Sequence, residues 1–205
     1  MRKVPLFALM LTLLLTGCGG EEKDLTAQLQ EQYALVAAAT LEADVVCHYE
    51  DEVRAYSLLC AYTPEKSIVT VLAPEQLSGI TATLENGELT LSYDEISLDA
   101  GTYSAAAISP VAALPKLMEA AARGYVTEES GEEVNDRECL RLSADLSDRP
   151  GMLYTTWFDA ETMLPLRSEI SADGFVVYEV TWKRFEVTQR MELPEETEQT
   201  TPAQS

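Results

Sequence analysis

The sequence predicts an α+β fold in which a large antiparallel β-sheet carries two main helices on one face. Three observations predict it. Residues 24–42 and 110–124 place apolar side chains at three- and four-residue steps, the period of a half-buried helix. About eleven short runs rich in Val, Tyr, Leu and Thr follow a period near two, six between the helices and five after the second. Asn86-Gly87 and Asp173-Gly174 stand between neighbouring runs, where such dipeptides close hairpins. The order helix, strands, helix, strands excludes a parallel βαβ arrangement.

The elements follow in chain order. Asp24 is suited to N-cap a helix running to about Glu42, with Leu25, Leu29, Tyr33, Val36 and Thr40 along one side. Residues 43–49 and 55–62 read as a hairpin joined by the charged stretch Glu50-Asp51-Glu52-Val53-Arg54. Ser67 to Ala73 is a strand ended by Pro74. Residues 80–84 and 88–93 flank the Asn-Gly turn, and Ile96 to Leu98 adds a short strand. Ser109-Pro110 opens the second helix, because proline in the first turn sacrifices no hydrogen bond. Pro115 predicts a kink or restart, Leu114, Leu117, Met118, Ala121 and Ala122 form the core stripe, and Gly124 ends it. Strands are then expected over 125–128, 139–146, 153–159, 166–171 and 175–187. Glu128, Glu129, Glu132 and Glu133, beside Ser130 and Gly131, read as a solvated polar loop.

Charge and the first residues give an address. Acidic side chains outnumber basic ones 35 to 14, a formal charge of −21. No basic surface exists to hold phosphates, so nucleic acid is excluded as a partner, and electrostatic adhesion to anionic lipid is excluded with it. Arg2 and Lys3, then the apolar stretch to Leu15, then Leu15-Thr16-Gly17-Cys18, form an export signal of the lipoprotein type. The apolar run is too short for a permanent span. Residues 1–17 are therefore expected to be removed and Cys18 acylated. Each buried CH₂ of an acyl chain contributes about 0.8 kcal/mol, so several chains hold the protein at the membrane. Residues 18–24 form a polar tether, 25–188 the folded domain, and 189–205 a disordered acidic tail.

Reactive groups are sparse. His48 is the one histidine and lies mid-strand, where a neighbour satisfies it. There is no P-loop, dinucleotide fingerprint, calcium loop or nucleophile elbow, and no cofactor or metal is expected. A hydrolase built on paired carboxylates is the weakest functional class. If the first hairpin turns near Val53-Arg54, Cys47 and Cys60 face each other and a disulfide is geometrically conceivable in an exported protein. Two reduced core thiols are the alternative, and the odd Cys139 argues against full pairing. Trp157, Phe158, Tyr178 and Trp182 on the last strands are candidates for partner or ligand contact, with core packing as the competing role.

Several stretches resemble the LolA-like lipoproteins, and more narrowly their germination (GerS-type) branch. They are Pro74-Glu75-Gln76-Leu77-Ser78-Gly79-Ile80, Leu89-Thr90-Leu91-Ser92-Tyr93, Trp157-Phe158-Asp159-Ala160-Glu161-Thr162-Met163-Leu164-Pro165-Leu166, and Glu169-Ile170. The resemblance implies a half-closed β-barrel, a curved sheet wrapped over helices. It implies either a sheltered site for acyl chains or, in the germination branch, a lipid-anchored partner of a cell-wall amidase in spore-cortex modification. Neither branch is an enzyme. A lipobox on this chain sets it apart from soluble carriers, since a tethered protein does not shuttle. The leading expectation is thus an anchored protein-binding module at the outer face of the cell membrane. The alternative is a carrier or receptor for lipid, lipoprotein acyl chains or another hydrophobic ligand.

Overall fold

The computed structural model describes residues 24–49, 52–102 and 109–190. The expected signal, Cys18, most of the tether and nearly all of the acidic tail lie outside them. Helix α1 spans Leu25–Ala34, and Asp24 caps it by accepting from the Ala27 N–H at 3.0 Å. Six strands follow: β1 (Val36–His48), β2 (Val53–Tyr62), β3 (Lys66–Ala73), β4 (Thr81–Glu85), β5 (Glu88–Tyr93) and β6 (Ile96–Thr102). A 3₁₀ turn at Pro110–Ala112 leads into α2 (Ala113–Arg123). The described residues continue through β7 (Tyr125–Val134), β8 (Arg137–Asp145), β9 (Met152–Asp159), β10 (Pro165–Ala172) and β11 (Phe175–Gln189). All eleven strands form one antiparallel sheet in the order β6-β5-β4-β3-β2-β1-β11-β10-β9-β8-β7. Two meanders are thus joined along β1 and β11, and the edges β6 and β7 do not pair with each other, so the sheet stays open.

One face of the sheet is lined by alternate residues, among them Leu41, Val45, Leu58, Val69, Ile170 and Val180, all 2% exposed or less. Against it lies α2, burying Leu114, Leu117, Met118 and Ala121, with α1 packed beside α2 through Leu29 and Tyr33. Each fully buried aliphatic side chain contributes roughly 1.5–3 kcal/mol. Pro115 sits in the first turn of α2, where its missing N–H has no intrahelical partner, so the expected restart is the 3₁₀-to-α junction just before it. Gly124 ends α2 as expected, but in extended backbone. The position needs glycine for space: an added Cβ would lie 2.6 Å from the Ala120 carbonyl oxygen and 2.7 Å from the Ala144 Cβ.

The structure corrects four expectations. The first helix stops at Ala34, not near Glu42, and residues from Val36 belong to β1. The Ala-rich stretch has high helix propensity, yet strand neighbours on both sides satisfy its backbone, and tertiary pairing overrides propensity. Residues 128–133 are not a loop but the middle of β7, an edge strand. Arg141 of β8 draws in Glu128 at 3.2 Å and Glu132 at 3.7 Å, and carboxylates along an edge also guard it against pairing with other chains. The β1–β2 hairpin closes between His48 and Val53, so Leu41 faces Cys60 and Cys47 faces Arg54. Cys47 and Cys60 are then separated by six residues along the sheet, about 20 Å at 3.3 Å per residue. A disulfide between them is sterically excluded, and Cys47, Cys60 and Cys139 are buried free thiols. Finally, the domain runs past residue 188: Gln189 pairs with Val36, and the Arg190 N–H donates to the Leu35 carbonyl.

Candidate functional site

A groove of about 580 Å³ opens where the end of α1 and one flank of α2 approach the β2–β3 and β4–β5 turns. Each wall follows from local sequence. Thr63 folds the β2–β3 turn by accepting from the Lys66 N–H at 3.0 Å and donating to the Lys66 carbonyl at 2.9 Å, which places Pro64 and Glu65 at the rim. Asn86 and Gly87, with φ of 53° and 79°, make the tight turn that sets Glu85 beside Glu88. On α2 the polar flank carries Lys116, Glu119 and Arg123 at helical spacing, with Lys116 3.0 Å from Glu119 and Arg123 bonded to the same carboxylate.

Two tyrosines and a serine form the inner lining. The Tyr33 hydroxyl donates to the Met163 carbonyl at 3.0 Å, and its ring meets Phe158 edge-on at 5.4 Å. Burial pushes that hydroxyl's pKa far above its ordinary value. Tyr62 is half-buried, and burial together with the Glu119 carboxylate raises its pKa as well. Ser67 shares the inward phase of β3 with Val69 and Val71 and is only 4% exposed. Its hydroxyl, against the groove, has no hydrogen-bond partner among the described residues. Buried hydroxyls are normally paired, so an orphan facing a cavity marks a place for a ligand atom or water.

Carboxylates dominate the rim. Glu119 holds Arg123 and shares Lys116 with Asp148 at 2.8 Å. Lys66 reaches Glu85 at 3.2 Å, and Arg190 reaches Glu65 at 3.5 Å. Glu88 has no cationic partner among the described residues.

The residues expected to make contacts are placed elsewhere and do not converge. Phe158 and Tyr178 face the helices at 1% and 2% exposure, within the core, the competing role expected for them. Trp182 is half-buried on the same face, donating its indole N–H to Ser168 at 2.9 Å and meeting Phe185 at 5.6 Å. Trp157 lies on the opposite face and donates to Glu132 at 2.7 Å. Cys18 lies outside the described residues. His48 pairs with Glu179 at 2.7 Å on the outer face, satisfied by a neighbour. Among the described residues no cluster of His, Cys, Asp or Glu has metal-binding geometry, and no helix is long and apolar enough to cross a membrane. Reading the sequence missed Ser67, Tyr62 and Glu88. The signal for Ser67 was its parity with Val69 and Val71, which places a hydroxyl among inward apolar side chains.

The Trp157–Pro165 stretch has a local explanation. The Asp159 carboxylate accepts from the N–H groups of Glu161 and Thr162 and from the Thr162 hydroxyl, closing the β9–β10 turn. These bonds hold its pKa below the ordinary aspartate value. The turn aims the Met163 carbonyl at Tyr33, so it anchors α1 to the sheet.

No family model matches the chain, and no curated protein sequence matches it. Solved structures similar to it include a DUF1329 family protein from Desulfovibrio piger, with a TM-score of 0.49, 11% identity and coverage of 80% of this chain and 90% of that one. Another is the LolA superfamily protein NE2245 from Nitrosomonas europaea, with a TM-score of 0.45, 10% identity and coverage of 82% and 94%. A third is the lipoprotein LppX from Mycobacterium tuberculosis, with a TM-score of 0.43, 11% identity and coverage of 79% and 94%.

Proposed function

We propose that the chain is an exported lipoprotein, held at the outer face of the cell membrane by acyl chains on Cys18, whose domain binds a partner protein and catalyses no reaction. The observation that carries this reading is the filling of the inner face. Tyr33, Phe158, Tyr178, Trp182 and Phe185 crowd the space between sheet and helices, and the groove beside them is rimmed by glutamates. An acyl chain needs a dry apolar lining, whereas charged rims suit protein recognition. The absence of chemistry rests on the groups present: His48 is tied to Glu179, and burial raises the Cys47 and Cys60 thiols to about 11 and about 12. The resemblance carried by residues 157–166 points to a cell-wall amidase of the spore cortex as the partner class.

Two measurements test this. Cys18→Ser should move the full chain from the membrane fraction to the soluble exported fraction. Full-length protein in mild detergent should bind purified cell-wall amidases at micromolar concentration. Failure to bind any of them overturns the partner assignment, and a stoichiometric lipid retained in native mass spectrometry establishes the carrier role instead.

A further inference from the structure

We infer that the groove between α2 and the β2–β3 and β4–β5 turns is a socket for a basic side chain, arginine or lysine, presented by the partner protein. This deepens the partner-binding reading and rests on it. Three features converge on cationic ligand chemistry. The hydroxyl of Ser67, 4% exposed, faces the groove and lacks a partner among the described residues, so an incoming N–H donor would complete it. Tyr62 and Tyr33 supply aromatic lining, which favours a cation's alkyl stem and charged head alike. Of the four rim carboxylates, Glu65 is held by Arg190, Glu85 by Lys66 and Glu119 by Lys116 and Arg123, which leaves Glu88 as the one without a cation among the described residues. Glu88, unpaired among the described residues, is placed to receive the charge. A carboxylate or phosphate ligand would meet the uncompensated charge of Glu88 with like charge. A volume of about 580 Å³ accommodates one long side chain with its flanking backbone, and the formal charge of −21 attracts basic partners from a distance.

The test uses ¹⁵N-labelled full-length protein in mild detergent, titrated with the blocked peptide acetyl-Gly-Arg-Gly-Arg-Gly-amide. Saturable shifts are expected at the amides around 62–67, 84–88 and 116–123. The citrulline counterpart, uncharged but the same shape, should bind at least tenfold more weakly. Glu88→Gln should weaken the arginine peptide at least threefold, and Ser67→Val at least twofold at unchanged net charge. Glu133→Gln, remote on β7, should leave it unaltered. Shifts scattered over the surface, or equal losses from Glu88→Gln and Glu133→Gln, overturn the socket and leave only diffuse attraction. Spermidine binding without peptide binding also overturns it, in favour of a free amine ligand. An amidase bound equally by the wild type and by Glu88→Gln/Ser67→Val rejects the socket while the partner reading stands. Absence of amidase binding with localised peptide binding does the reverse.

Discussion

The guanidinium of Arg167 stacks 3.9 Å from the centre of the Trp157 ring, while Arg141 approaches the same ring at 5.5 Å. The two arginines flank Trp157 in register, one on β10 and one on β8. Glu132 accepts the indole N–H, and Glu169 holds Arg167 at 2.7 Å. The outer face of the sheet thus gains a second packed layer built from an aromatic ring and paired charges. That arrangement explains how Trp157 comes to be 5% exposed on the face away from the helices.

Arg167→Ala is expected to cost about 1 kcal/mol, the scale of a partly desolvated cation–π contact. Arg141→Ala, with its cation farther from the ring, should cost less. Urea denaturation curves of the two variants measure both, and a red shift of native tryptophan emission should accompany Arg167→Ala alone. Equal costs would show that the ion pairs, Arg141 with Glu128 and Glu132 and Arg167 with Glu169, outweigh stacking on the ring.

The thiols give a second expected outcome. With Cys47 opposite Arg54 and Cys60 opposite Leu41, the intact mass of non-reduced protein should equal that of three free thiols in residues 24–190. Burial raises all three pKa values, so native thiols should react with an aromatic disulfide reagent orders of magnitude more slowly than after denaturation. A fast-reacting native thiol would place one of them at the surface.

Turn chemistry made much of this fold legible before any coordinates. Asn86-Gly87 and Asp173-Gly174 have positive φ at both positions, a conformation that few other dipeptides tolerate, so their hairpins could be read locally. The stretch from Val36 to Glu42 misled because alanine is a good helix former, and what makes it a strand lies far away in β11. Likewise nothing near Glu132 announces Arg141 or Trp157, which turn a charged run into an ordered strand. The groove was illegible for the same reason. Its walls come from two helices and two turns distant in sequence, and the parity of Ser67 with Val69 and Val71 announces its burial but not that its hydroxyl goes unpaired among the described residues.

Gly124 is the point where α1, α2 and β8 meet: its carbonyl accepts from the Gln30 side chain at 2.8 Å, and its Cα faces Ala144. Gly124→Ala should therefore destabilise by about 1–3 kcal/mol through overpacking, despite an ordinary backbone conformation. Ala144→Gly in the same chain should recover only part of the loss, because the Ala120 carbonyl oxygen still lies 2.6 Å from the new Cβ. Thermal unfolding of the single and double variants measures the recovery. A neutral Gly124→Ala would mean that α2 lifts from the sheet without cost.

Acid stability is the last expected outcome, and its sign follows from two aspartates. The Lys183 ammonium, 2.6 Å from Asp44, together with the Ser57 hydroxyl, lowers the Asp44 pKa. Backbone and hydroxyl donation from Thr162 lowers that of Asp159. A carboxyl whose folded pKa lies below its unfolded value binds protons more readily once the chain unfolds. Its stabilising effect is complete above the ordinary value of about 3.9 and disappears as pH falls from there through the depressed folded value. Urea midpoints should therefore fall below about pH 4, and the fall should be shallower in Asp159→Asn, which starts less stable at neutral pH. An unchanged slope in Asp159→Asn would mean that the β9–β10 turn titrates no differently in the folded and unfolded chain, and that its hydrogen bonds add nothing to the anchoring of α1.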